Sequence, residues 1–168
     1  MKRHLASIAI IAASLLAAAG AGIAQQPAAS AAAPQGGLAV SPYVMTMGDM
    51  MNTLIQPRHA KLGLAGHAGN WQLAQYAAAE IRQAFAGIAK AQPKFASMPV
   101  GTLVDVAIVP PLNAVDAAIK QQDAAKFTAA YGQLTQGCNA CHMELDHAYV
   151  VIKAPDASAF PNQEFKAQ

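Results

Sequence analysis

Charged residues make up only 12% of this 168-residue chain, and aromatics only 6%. With so little charge, no basic cluster stands in the sequence that could hold a nucleic acid, which needs grouped Lys and Arg. Alternating runs of β-branched residues are missing too, which argues against a sheet protein. Alanine, the best helix former, fills the space instead. Cysteine occurs only twice. In an exported chain that would ordinarily suggest a disulfide, but a histidine directly behind the second cysteine changes that expectation.

What is present begins with an export signal. Lys2 and Arg3 form a positive start, Leu5 to Ala19 an apolar middle, and small residues run through Gly22-Ile23-Ala24. This is the pattern of a secretory signal peptide over residues 1–24, cleaved after Ala24 or after Ala21. The apolar run is short for a membrane span, so no membrane attachment is expected after cleavage. Losing Lys2 and Arg3 from the 11 basic residues leaves 9 against 9 acidic ones, and the formal charge of +2 falls to near zero. Residues 25–40 are a flexible Ala/Pro/Gly linker by composition, and residues 41–168 are long enough for one domain with a core.

Four amphipathic segments follow. The first starts with Ser41 as N-cap and Pro42 at the first helical position. It carries Val44, Met47, Met51, Leu54, Ile55 and Leu62 on one face, and Pro57 is expected to kink or restart it. Gly69-Asn70 is a turn, with Asn70 capping a second helix through Leu73, Ala77, Ile81, Phe85 and Ile88 to Pro93. A loop with Pro93, Pro99 and Gly101 comes next. The third segment is broken: Thr102 caps a short piece, Pro110-Pro111 interrupts, and Leu112, Val115 and Ile119 form another. The fourth is the longest. Asp123 caps it, and Phe127, Tyr131, Leu134, Cys138, Cys141, Leu145, Ala148 and Ile152 fall on one face at helical spacing. Phe160 and Phe165 are candidates to pin the tail. The expected fold is all-α, an antiparallel four-helix bundle.

Set into the last helix is Cys138-Asn-Ala-Cys141-His142, the C-x-x-C-H pattern of covalent haem attachment. Residues three and four apart share a helix surface. Cys138 and Cys141 can therefore each bond one vinyl group along an edge of a porphyrin, and His142 stands where an imidazole nitrogen reaches the iron. Export supports this, since bacterial c-type haem is attached outside the inner membrane. A thioredoxin-like motif would need βαβ surroundings. Zinc held by Cys138, Cys141, His142 and His147 would need four ligands to converge tetrahedrally from one helix. Gly132 and Gly137 suggest close approach of a bulky neighbour, such as the macrocycle.

For the far side of the iron the candidates lie in helix one, which an up-down order places beside the last half of helix four. Met47, Met50 and Met51 occupy that stretch, and Met51 faces the core by phase. His59 shares the Met51 face through Ile55 and lies just past the Pro57 break. Met51 or His59 is thus the expected distal ligand; an open sixth position is the remaining option. His67 and His147 are expected to be structural or exposed, and Arg58 and Lys61 could pair with haem propionates or simply be solvated.

A haem motif near the C-terminus, on the last helix of a bundle, resembles the class II c-type cytochromes, the cytochromes c′ and their low-spin relatives. The likeness covers Ser41 to Ile152, and its specific part is the Cys138–His142 motif. It implies Cys138 and Cys141 as thioether anchors, His142 as proximal ligand, and a distal Met from helix one, Met51 or Met50. It also allows a homodimer through helices one and two. Arg58-His59-Ala-Lys61-Leu62, with Ala65-Gly66 and Asn70-Trp71, is similar to a group of exported haem proteins and departs from cytochrome c′ on the distal side.

The expected role is therefore a periplasmic protein carrying one covalent haem c and transferring electrons between periplasmic redox partners. The alternative is a gas-binding or gas-sensing protein with an open or displaceable sixth position, and a haem-bearing accessory subunit comes third. No acid–base pair or nucleophile constellation accompanies the motif, so it does not read as an enzyme.

Overall fold

In the computed structural model residues 43–167 are described. The expected signal peptide, the linker and the Ser41-Pro42 pair lie outside them. The first helix does not start at Pro42, however. Tyr43 to Thr46 are not helical, Val44 is exposed rather than on the core face, and α1 (Met47–Met50) begins after Thr46. The reason is a reciprocal cap. Asp49 N–H donates to Thr46 Oγ1 at 3.2 Å, and Thr46 N–H donates to Asp49 Oδ2 at 2.8 Å. Two orphan donors are satisfied at once, which outweighs a proline further upstream.

A π-helical segment, Met51–Ile55, continues α1 and leads into α2 (Gln56–His67). Pro57 explains it. Proline has no N–H for the Thr53 carbonyl, so the ladder is already broken there. The chain widens by one residue instead, with Gln56 N–H donating to the Met51 carbonyl. Pro57 then sits in the first turn of α2, where its missing donor costs nothing.

Asn70 caps α3 (Trp71–Ala91) as expected, accepting from Leu73 N–H at 3.1 Å. The loop that follows holds a small antiparallel hairpin, β1 (Lys94–Phe95) and β2 (Met98–Pro99), with Phe95 opposite Met98. The broken third segment is α4 (Val100–Ala107) and α5 (Val109–Gln121), bent by 43°. Pro99, not Thr102, precedes the first piece, and Pro110-Pro111 open the second rather than separating two helices by a loop. No single helix among the described residues is long and apolar enough to cross a membrane.

Asp123 caps α6 (Ala124–Glu144), accepting from Lys126 N–H at 3.0 Å. This helix ends well before the expected Ile152. Leu145 is its cap, Asp146 takes the left-handed conformation (φ 60°), and the chain folds back as a strap over residues 145–152.

The described part is thus mostly helical. α2 packs on α3, α3 on α5, α5 on α6, and α6 returns to α2. The core between them is built from Leu62, Ile81, Ile88, Leu112, Val115, Phe127, Tyr131 and Leu134, all nearly or fully buried. Each such side chain contributes about 1.5–3 kcal/mol on burial. Where α2 meets α6, glycine makes room for aromatic rings. A Cβ on Gly66 would lie 1.9 Å from the Phe127 ring, and one on Gly63 would lie 2.6 Å from the Tyr131 hydroxyl. In the tail, Phe165 is buried against the body and Phe160 packs on it.

Candidate functional site

Cys138 is mostly buried and Cys141 half-buried, and both are free thiols. They stand on the inner face of α6, as their spacing requires. Together with His142 they line a partly open cleft of about 210 Å³. The opposite wall is the start of the first helix: Met47, Met51, Asn52, Ile55, Gln56 and His59. The remaining walls are mostly apolar, from Phe85 on α3, Phe95 on the hairpin, Val100, Leu103, Val104 and Ile108 around α4, and Ile152 on the strap, with His147 the polar exception. The C-x-x-C-H stretch and two of the helix-one methionines, Met47 and Met51, thus share one cavity.

The electrostatics of the cleft follow from the burial of its thiols. Burial pushes the Cys138 thiol up to about 12, with the neighbouring Cys141 adding to the shift. Burial raises the Cys141 thiol as well. Both sulfurs are therefore neutral S–H groups at ordinary pH, packed as small hydrophobes rather than poised as thiolates.

His142 has a defined orientation. Its Nδ1 lies 2.7 Å from the Val150 carbonyl oxygen. A carbonyl can only accept, so Nδ1 carries the proton and Nε2 is left with its lone pair free. That is the tautomer a metal-binding imidazole needs. The strap supplies the carbonyl. Its turn is closed by His147 N–H donating to the His142 carbonyl at 2.7 Å and Val150 N–H donating to the His147 carbonyl at 2.8 Å.

Of the helix-one candidates, Met51 and Met47 line the cleft, whereas Met50 is buried in the core and does not. His59 borders the cleft but is held from below. Its Nε2 lies 2.9 Å from Thr135 Oγ1 and its Nδ1 3.0 Å from the Tyr131 hydroxyl. Thr135 already donates to the Tyr131 carbonyl at 2.9 Å, so its oxygen accepts from His59 Nε2–H. The Tyr131 hydroxyl then donates toward Nδ1 and the nearby His59 carbonyl, 2.9 Å away. Both ring nitrogens are occupied. His59 is 4% exposed, and burial lowers its pKa to about 4, which keeps it neutral.

Other expectations fall elsewhere. Arg58 pairs with Glu80 at 3.2 Å and donates to the Leu54 carbonyl at 2.8 Å, and Lys61 lies 4.7 Å over the Phe160 ring. Neither lines the cleft. Gly137 does admit a close neighbour, but that neighbour is the Ala107 carbonyl, 2.2 Å from where a Cβ would be; Gly132 faces open space. His67 is exposed and meets Phe127 edge-on. His147 is on the cleft wall, between Phe95 and Tyr149. Among the described residues no group of three or more His, Cys, Asp or Glu is arranged to hold a bare metal ion.

Sequence reasoning missed the Asn139 contact to the strap, the Val150 carbonyl and the hairpin wall. Only the turn-forming Asp146, set inside an apolar repeat, could have hinted at the strap. No family model, no curated protein and no solved structure matches this chain.

Proposed function

We propose that the protein is a periplasmic monohaem c-type cytochrome that carries electrons, built as an antiparallel four-helix bundle of the class II kind. The ring of neighbours α2, α3, α5 and α6 supports the bundle. One observation carries the functional reading: two free thiols, an imidazole with its Nε2 unoccupied, and a thioether from another helix share one apolar cleft.

The donor set fits a covalently held haem. Cys138 and Cys141 would hold it as two thioethers, each thiol adding S–H across one vinyl double bond, sulfur to one carbon and hydrogen to the other, with no net oxidation. Low thiol acidity is compatible with this, because the product is a neutral thioether that suits a dry wall. His142 Nε2 would hold the iron, and the Nδ1–H bond to the Val150 carbonyl would make it a more basic donor. Met51, which lines the cleft, would supply a second donor, and a thioether in that role would raise the reduction potential. With both its nitrogens used, His59 instead braces α2 against α6 beneath the cleft. The bound group supplies one-electron chemistry between two iron oxidation states.

A cleft of about 210 Å³ is smaller than pockets that enclose a drug-sized ligand. A haem held by these residues would supply one-electron exchange to a partner through the open side of the cleft. The formal balance of basic and acidic residues in the mature chain predicts weak steering of that partner and little salt dependence.

Visible spectra of the purified protein in both oxidation states, with and without carbon monoxide, test the assignment. Low-spin bands indifferent to carbon monoxide support a carrier with Met51 bound. A high-spin spectrum with ready carbon monoxide binding would replace it with the gas-binding role.

A further inference from the structure

Asn139 stands between the two cysteines, on the side of α6 that faces the strap. Its side chain makes two hydrogen bonds to one residue there. Ile152 N–H donates to Asn139 Oδ1 at 2.8 Å, and Asn139 Nδ2 donates to the Ile152 carbonyl at 2.9 Å. The amide orientation follows from its partner. Turned over, it would set oxygen against oxygen and N–H against N–H.

Ile152 packs partly buried against the core and lines the cleft, but Tyr149 and Val151 are exposed at 78% and 73%, so their own burial contributes little. Yet Val150, between them, holds the carbonyl that fixes His142. Asn139 grips the chain two residues beyond that carbonyl, and the bond from Val150 N–H to His147 holds it from the other side.

We propose that Asn139 is the positioning residue of the axial imidazole. It ties Ile152 to the attachment helix so that the Val150 carbonyl stays on His142 Nδ1–H, which sets the basicity of Nε2 and thereby the reduction potential. This rests on the haem reading above. The strap thus belongs to the site through its backbone, the Val150 carbonyl and the Ile152 amide group. Releasing it frees Val150 to leave and water to take its place at Nδ1. A weaker donor at Nε2 favours the reduced iron.

The test compares the full exported protein with Asn139→Ala. Three readouts are taken: amide exchange at Ile152, proton exchange at His142 Nδ1–H in the reduced state, and midpoint potential. The variant is expected to exchange faster at both sites. Its reduction equilibrium should move about tenfold toward the reduced form, about 59 mV upward for one electron. Faster exchange at Ile152 with unchanged Nδ1–H exchange and unchanged potential would overturn the proposal, since Asn139 would then only hold the tail. If Asn139→Ala does not fold, Asn139→Asp keeps the acceptor for Ile152 N–H and loses the donor. It is read by exchange alone, because its charge itself moves the potential. Exchange at Nδ1–H between that of wild type and that of free imidazole is expected, and a wild-type rate would refute the assignment. A wild-type protein without haem would sink the functional reading instead. The clamp would still be decided by 15N shifts of His142, with the Nδ1–H tautomer fixed in wild type and mixed in the Asn139→Ala variant, or identical in both if the idea is wrong.

Discussion

Mild acid is expected to destabilise this fold through one side chain, His59. Its pKa is lowered from 6.5 to about 4 by burial, and it is 4% exposed between α2 and α6. In the unfolded chain the imidazole gains its proton near its ordinary value, whereas the folded protein resists until about pH 4. Between these values the unfolded state binds more protons, so stability is full above about pH 6.5 and falls as pH falls. The whole effect is about 3 kcal/mol, and roughly 2 kcal/mol of it is reached by pH 5. The neighbours do not offset it. Tyr131 is driven well above its ordinary value by burial, Cys138 is pushed up to about 12, and Thr135 does not titrate. The carboxyls held below their usual range, Asp49, Asp123, Asp156 and Glu164, contribute stability that is lost mainly below pH 5, so they add little to the change between pH 7 and pH 5. Urea unfolding at pH 7 and pH 5 measures the loss in wild type and in His59→Gln. Glutamine keeps a donor and an acceptor but no titration. Wild type should lose about 2 kcal/mol, and the variant, less stable throughout, almost none. Equal losses in the two proteins would refute the role given to this histidine.

Other changes follow from the same contacts. Gly66→Ala puts a methyl 1.9 Å from the fully buried Phe127 ring, itself stacked on Tyr131, and should cost about 1–3 kcal/mol or more in thermal or urea unfolding. Gly132→Ala meets nothing within 4 Å in the middle of α6 and should stabilise by about 0.5–1 kcal/mol in the same assay. Met51→Ala is expected to convert a low-spin iron spectrum to one that binds carbon monoxide, while Met50→Ala, a core change, should lower stability and leave the spectrum alone. Thr46→Ala removes half of a reciprocal cap and should cost about 1 kcal/mol.

Local chemistry was legible wherever one residue type decides the backbone. Asn70 and Asp123 cap the helices they were expected to cap, and Pro57 does interrupt the first helix. The meeting of Met47 and Met51 with the cysteines was expected from the sequence and is seen at the cleft. What failed was periodicity read past its element. Leu145, Ala148 and Ile152 continue the apolar spacing of α6, but the chain turns at Asp146 and a side chain from within the helix holds Ile152 instead. The same spacing drew Val44 into a helix that a Thr46–Asp49 cap starts later. The hairpin has strands too short to show a period. Gly137 was correctly seen as a point of close approach, yet a sequence cannot say whether backbone or ligand approaches. For His59, position on the helix suggested a ligand, whereas the partners that occupy it, Tyr131 and Thr135, come from a distant part of the chain.

The role proposed for the cleft turns on whether Cys138 and Cys141 carry a haem. Intact mass of the exported protein under denaturing conditions measures this directly. The signal-cleaved chain should be heavier than its polypeptide by one haem that survives denaturation, and a Cys138→Ser, Cys141→Ser protein should not be. A colourless wild-type protein at the bare polypeptide mass would contradict the account.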